Sequence, residues 1–279
     1  MQLLHAAILG IIQGLTEFLP VSSSGHLILV REVLGWELLA DTHWNTIFDL
    51  SVHAGTFAGL LIYFFSDVLR LGGAFFSTFR HGFAGVPERR LAWVIVLATI
   101  PAALAGVLGE DLIEAHLREA PMIVAGLLII FGIVLWLAEW RGRKQRALEE
   151  TGWFDGLIIG AAQALALAPG VSRSGITITA GLAFGMTRET AARYSFLLSL
   201  PIIGGAALYG LHSVLGEFSH LPGGALHIFA VGFLAAAASG YLCVRYFLRY
   251  LQTGSLAPFV VYRVLLGLGL LAWFAAAAG

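Results

Sequence analysis

Six apolar stretches, each close to the ~20 residues that carry a helix across a bilayer core, constrain this chain more than any other feature. They cover roughly Asn45–Phe65, Leu91–Leu108, Met122–Trp140, Ala191–Leu211, Ala225–Leu248 and Pro258–Ala278. Composition agrees: 58% of the 279 residues are apolar and 12% are charged. Soluble domains carry about 45–50% and about 25%. So few charges cannot build a water-facing surface, and such high hydrophobicity excludes disorder. The net charge of −1 gives no reason to expect a nucleic-acid partner. The lone Cys243 has no partner for an internal disulfide and reads as an inert core residue. The N-terminus lacks a basic segment and a small-residue cleavage site, so a removable signal peptide is not expected.

Four apolar pieces are too short to span: roughly His5–Leu19, Gly25–Leu34, Phe154–Ala168 and Gly175–Gly185. They form two pairs, one split by Pro20-Val21-Ser22-Ser23-Ser24 and the other by Pro169-Gly170-Val171-Ser172-Arg173-Ser174. Irregular backbone at membrane depth is tolerated only inside protein or beside a wet cavity, so each pair reads as a re-entrant hairpin. The pairs also match each other. Ile8-Leu9-Gly10-Ile11-Ile12-Gln13-Gly14-Leu15 parallels Ile158-Ile159-Gly160-Ala161-Ala162-Gln163-Ala164-Leu165, about 150 residues on. The expected fold is an all-α polytopic membrane protein forming a single integral membrane domain, residues 1–279. It divides into two repeats, 1–140 and 151–279, each one re-entrant helical hairpin plus three transmembrane helices. Three spans is an odd number, so the second repeat is inverted, and such repeats place a site at their interface near the midplane.

Loop charges orient the chain. Arg70, Arg80, Arg89 and Arg90 in the 66–90 loop, Arg141, Arg143, Lys144 and Arg146 in the 141–153 loop, and Arg245 and Arg249 fall on one side. Glu110, Asp111, Glu114, Glu119 and Glu217 fall on the other, with Arg31 and Arg118 as minor dissent. The positive-inside rule makes the basic side cytoplasmic and puts both termini outside.

The breaks hold the chemistry. Gln13 and Glu17 lie four apart on one helix face. Glu17 sits in an apolar half-helix, where a charge is costly and by default functional. Serines after the break can cap the next half-helix, whose free N–H groups form an anion site. Arg173 adds a bidentate cation suited to phosphate. Ser23 beside His26 suggests a nucleophile and base, and Glu17 suits a divalent cation or the orientation of His26. Bland readings stand beside these. Glu17 and Arg173 can be a structural ion pair, the serines mere caps, and His26 a hydrogen-bonded core histidine. Asp49 and His53, four apart within a span, fit hydrogen bonding to the neighbouring hairpin better than a proton relay or metal binding. Trp44, Trp140 and Trp153 read as interface anchors, and the GxxxG-like glycines as packing residues.

The run Gln13-Gly14-Leu15-Thr16-Glu17-Phe18-Leu19-Pro20-Val21-Ser22-Ser23-Ser24-Gly25-His26 resembles the first signature of bacterial undecaprenyl-diphosphate phosphatases of the bacitracin-resistance type. Pro169-Gly170-Val171-Ser172-Arg173-Ser174-Gly175-Ile176-Thr177 resembles the second. The resemblance implies hydrolysis of undecaprenyl diphosphate to the monophosphate in the bacterial cytoplasmic (inner) membrane, recycling the lipid carrier of the cell wall. It places the nucleophile on Ser23, the catalytic histidine on His26, a metal-binding carboxylate on Glu17 and the phosphate-binding arginine on Arg173. Ser172, Ser174, Thr177, Gly25, Gly170 and Gln13 complete the expected substrate-binding set. Gln13 stands where the family often has Glu, which removes one carboxylate from the metal set. The implied cofactor is a divalent cation, Mg2+ or Ca2+. The expected partners are a long-chain prenyl diphosphate lipid and the membrane, with a homodimer left open. Attack by Ser23 with His26 as base, and direct attack by metal-activated water, both remain open.

The rival class is a secondary transporter or lipid flippase, for which inverted repeats with broken helices are equally natural. A transporter needs no serine beside a histidine. A purely structural subunit is disfavoured by the costly Glu17 and Arg173.

Overall fold

The computed structural model describes residues 1–34, 42–83, 85–113, 120–214 and 221–277. Among these residues the helices are eleven: α1 (Gln2–Phe18), α2 (Ser23–Leu34), α3 (Thr42–Tyr63), α4 (Phe65–His81), α5 (Pro87–Ile113), α6 (Pro121–Arg141), α7 (Trp153–Ala164), α8 (Arg173–Ala183), α9 (Arg188–Val214), α10 (Ala225–Leu251) and α11 (Ala257–Ala277). Leu148–Glu150 and Leu165–Leu167 are short 3-10 turns. The only β pairing among the described residues is an isolated parallel bridge, Arg146 to Met186.

Among the described residues, six helices are long and apolar enough to cross a membrane: His43–Tyr63, Pro87–Gly109, Met122–Arg141, Arg188–Gly210, Ala225–Leu251 and Ala257–Ala276. They coincide with the six apolar stretches expected, and the chain is a multi-pass membrane protein.

The 66–90 loop is a correction. Most of it is α4, with apolar residues at Val68, Leu71, Phe75 and Phe79, the spacing of one helix face. Asp67 sits in its first turn and Arg80 and His81 in its last, as the helix dipole prefers. Asp67 is buried and accepts from Arg70 (2.9 Å) and from Arg193 of α9 (2.8 Å), tying α4 down. Arg245 and Arg249 also lie within a helix, the last turns of α10. Trp44 is buried in a core cluster with Phe48 and Phe229 rather than at an interface, whereas Trp140 and Trp153 are exposed. Glu114, Arg118, Glu119 and Glu217 lie outside the described residues.

Packing follows the glycine stripes. α1 lies on α10, where a β-carbon on Gly14 would come within 2.6 Å of the Ala236 carbonyl. α7 lies on α5 in the same way, and a β-carbon on Gly160 would come within 2.7 Å of Ala98 Cα. Such stripes let backbones approach where lipid supplies no hydrophobic drive. α3 packs against both α9 and α10, and α6 against α11. The two helix–break–helix units, α1–α2 and α7–α8, are thereby held against each other inside the bundle.

Candidate active site

The two breaks share one local structure. Each ends in a serine with left-handed backbone, Ser22 at φ 74° and Ser172 at φ 72°. That conformation costs a non-glycine residue about 1–3 kcal/mol and marks a constrained turn. It sets both serines just ahead of a helix start. Ser172 Oγ accepts from Gly175 N (3.1 Å), a true N-cap. Ser22 Oγ lies 3.3 Å from Ser24 Oγ, and Ser172 Oγ 3.2 Å from Ser174 Oγ. Gly170, at φ 95°, completes the second turn, and a β-carbon there would press on the Val124 carbonyl at 2.6 Å.

Glu17 is the centre of the site. It is 7% exposed, near the end of α1. Its Oε2 accepts from Gln13 Nε2 (2.9 Å) and Ser23 Oγ (2.7 Å). Its Oε1 accepts from the Arg173 guanidinium at the start of α8, an ion pair that joins the two units. His53 Nε2 stands 3.9 Å from Oε2, while its Nδ1 donates to the Asp49 carbonyl (2.8 Å). His53 thus stands near the first unit, but its hydrogen bond is within α3 and not to the neighbouring hairpin. Gln13, Glu17, Ser23 and Arg173 thus meet around one carboxylate.

Ser23 and His26 do not pair as expected. The Ser23 hydroxyl is turned to Glu17. Buried His26 places Nδ1 on the Ser22 carbonyl (2.7 Å) and Nε2 on the Tyr262 hydroxyl of α11 (2.6 Å). The reason is the helix start itself. The imidazole folds back along the first turn onto the Ser22 carbonyl, and Glu17 offers Ser23 a stronger, charged acceptor.

The other expected residues have structural partners. Ser174 Oγ donates to the Leu19 carbonyl (3.0 Å), crossing from one unit to the other. Thr177 donates to the Arg173 carbonyl (2.8 Å) and lies 2.6 Å from Ser195 Oγ of α9. Gly25 is buried, 3.6 Å from Ser22 Oγ when given a β-carbon. No three His, Cys, Asp or Glu side chains converge among the described residues. Gln13 Oε1, however, is a buried oxygen without a partner beside the Glu17 carboxylate.

One residue that builds the site escaped the sequence reading. Arg263 of α11 is fully buried. It donates to the carbonyls of Pro20 (3.3 Å) in the first break, Gly170 (2.9 Å) and Val171 (3.0 Å) in the second, and Leu128 (3.2 Å) of α6. It satisfies the orphan carbonyls that a broken helix leaves inside a membrane protein. Its signal was an arginine inside an apolar span. Tyr262 carried no comparable signal.

The model of the family described as bacitracin resistance protein BacA matches residues 6–269 of the chain. The chain belongs to the BacA family. Similar relatives include an "Undecaprenyl-diphosphatase" of Trichlorobacter lovleyi, 47% identical over 279 residues with 98% of this chain and 97% of the relative covered. Another of that name, from Pelobacter propionicus, is 45% identical over 267 residues, covering 96% and 95%. A third, from Geobacter sulfurreducens, is 46% identical over 275 residues, covering 98% of each. Within this BacA-family chain, the matched region holds both breaks, Glu17, Arg173 and Arg263.

Proposed function

We propose that the chain hydrolyses undecaprenyl diphosphate to undecaprenyl phosphate and inorganic phosphate. The observation that carries this is the meeting of Glu17, near the end of α1, with Ser23 and Arg173 at two helix starts: one carboxylate accepts from a hydroxyl and pairs with a guanidinium. The names of the relatives point to the same reaction.

In this reading the diphosphate draws Arg173 from Glu17 onto its own oxygens, and the N–H groups opening α2 and α8 face the same charge. Glu17 takes the Ser23 proton as Ser23 Oγ attacks the terminal phosphorus. The bond from that phosphorus to the bridging oxygen breaks, and undecaprenyl phosphate leaves with the electron pair. Water then attacks the phosphoserine, losing its proton to His26; the bond from phosphorus to Ser23 Oγ breaks, the proton held by Glu17 returns to that oxygen, and phosphate departs. Glu17 therefore takes the place first expected for His26 as the base on Ser23, and His26 serves the second step.

Glu17 and the unpartnered Gln13 Oε1 fit a hard cation that completes its shell with water and substrate oxygens, the habit of Mg2+ more than of a fully caged Ca2+. Such a cation would neutralise diphosphate charge. A hydroxyl on a buried carboxylate favours this reading over a transporter, which has no use for an activated nucleophile.

The two units are read as re-entrant hairpins of inverted repeats, residues 1–140 and 151–279. Reciprocal packing supports this: α1 on α10 answers α7 on α5, and both breaks carry the same left-handed serine. The basic termini of α4, α6 and α10 are read as cytoplasmic, with both chain ends outside an inner membrane. The test is phosphate release from undecaprenyl diphosphate by purified protein in lipid, with and without a chelator. Release that stops with chelator and returns with Mg2+ is expected. Transport of the lipid without any release would favour the flippase.

A further inference from the structure

The two nitrogens of His26 have partners of different kinds. A carbonyl oxygen can only accept, so Nδ1 carries the proton toward Ser22. In the neutral ring Nε2 is then a bare acceptor, and the Tyr262 hydroxyl at 2.6 Å must donate to it. The two rings are nearly parallel, 11° apart with centroids at 5.6 Å. Tyr262 comes from α11, one residue before the arginine that ties both breaks together. The same helix turn thus sets the breaks and the histidine between them. His26 is 7% exposed, whereas Tyr262 is 44% exposed.

We propose that Tyr262 is a positioning residue for His26: its hydroxyl holds Nε2 as a lone-pair acceptor, in place and unprotonated, until water needs it. The inference rests on the reading that His26 serves turnover, but its first readout does not.

The experiment is Tyr262→Phe, which keeps the ring and removes only the hydroxyl, studied in histidine-15N-labelled protein without substrate. A His26→Gln spectrum assigns the His26 signals. The Nε2 resonance is expected to move toward that of an unbonded ring nitrogen, while Nδ1–H, still held by Ser22, stays. In the turnover assay kcat should fall about tenfold, the rate equivalent of one lost hydrogen bond, with KM within about twofold. An unchanged Nε2 resonance would overturn the proposal. A shifted resonance with unchanged kcat would uphold the positioning and refute the role given to His26. Should Tyr262→Phe fail to fold, 3,5-difluorotyrosine at position 262 keeps the hydroxyl and makes it a stronger donor. It should move Nε2 the opposite way, and no movement would again overturn the proposal.

Discussion

Lysine at position 263 would keep the charge of the arginine but not its fork. Arg263 reaches carbonyls of both breaks and of α6 at once, through three different nitrogens. An ammonium is a compact point charge and cannot span them. Each carbonyl left unmet in a buried site costs about 1–3 kcal/mol. Arg263→Lys should therefore lower the melting temperature and reduce phosphate release at least about tenfold, since a misplaced break also misplaces Glu17 or Arg173. The melting curve and the rate, measured on the same preparation, check both. The serines make a second residue-scale test. Ser23 donates to Glu17, whereas Ser24 Oγ lies 3.3 Å from Ser22 Oγ. Ser23→Ala should abolish turnover and the phosphoenzyme trapped by rapid acid quench, while Ser24→Ala keeps a substantial fraction of both. Near wild-type turnover by Ser23→Ala would favour attack by activated water.

Among the elements, the glycine stripes and the two breaks were readable because their causes are local. A Pro–Ser break between short apolar runs permits few backbones, and glycine every fourth residue offers a helix groove. α4 was not readable as a helix from its charges, which suggest a loop as well as they suggest one face of a helix. It took the packing of Asp67 against Arg193 to fix it. The partners of Ser23 and His26 were hidden for a different reason. Sequence spacing places both on one turn, but Tyr262 and Glu17 arrive from other helices and divide them. The stripes themselves can be tested by contrast. A methyl on Gly160 meets the Ala98 backbone, whereas one on Gly126 of α6 meets nothing within 4 Å. Gly160→Ala should destabilise by about 1–3 kcal/mol through overpacking. Gly126→Ala should stabilise by roughly 0.5–1 kcal/mol, because alanine loses less entropy in a helix. Melting temperatures moving in opposite directions in one detergent would bear this out, and equal shifts would refute the stripe.

At the scale of the whole molecule, the six spans follow from hydropathy alone, because bilayer thickness sets helix length. Which unit faces which other was beyond hydropathy. It depends on the ion pair between Glu17 and Arg173, 156 residues apart. Orientation can be measured in a Cys243→Ala background, which removes the one native thiol. A membrane-impermeant thiol reagent should label a cysteine at Gln2 in intact cells but not one at Arg143, and the reverse pattern would invert the topology. The central claim is that one phosphatase site is assembled from both units. It is tested most directly by phosphate release from undecaprenyl diphosphate by Arg173→Lys beside wild type, in the same lipid and with Mg2+ present. The account predicts a folded variant that loses most of its activity, because the charge remains and the bidentate grip does not. Wild-type rates in Arg173→Lys would contradict it.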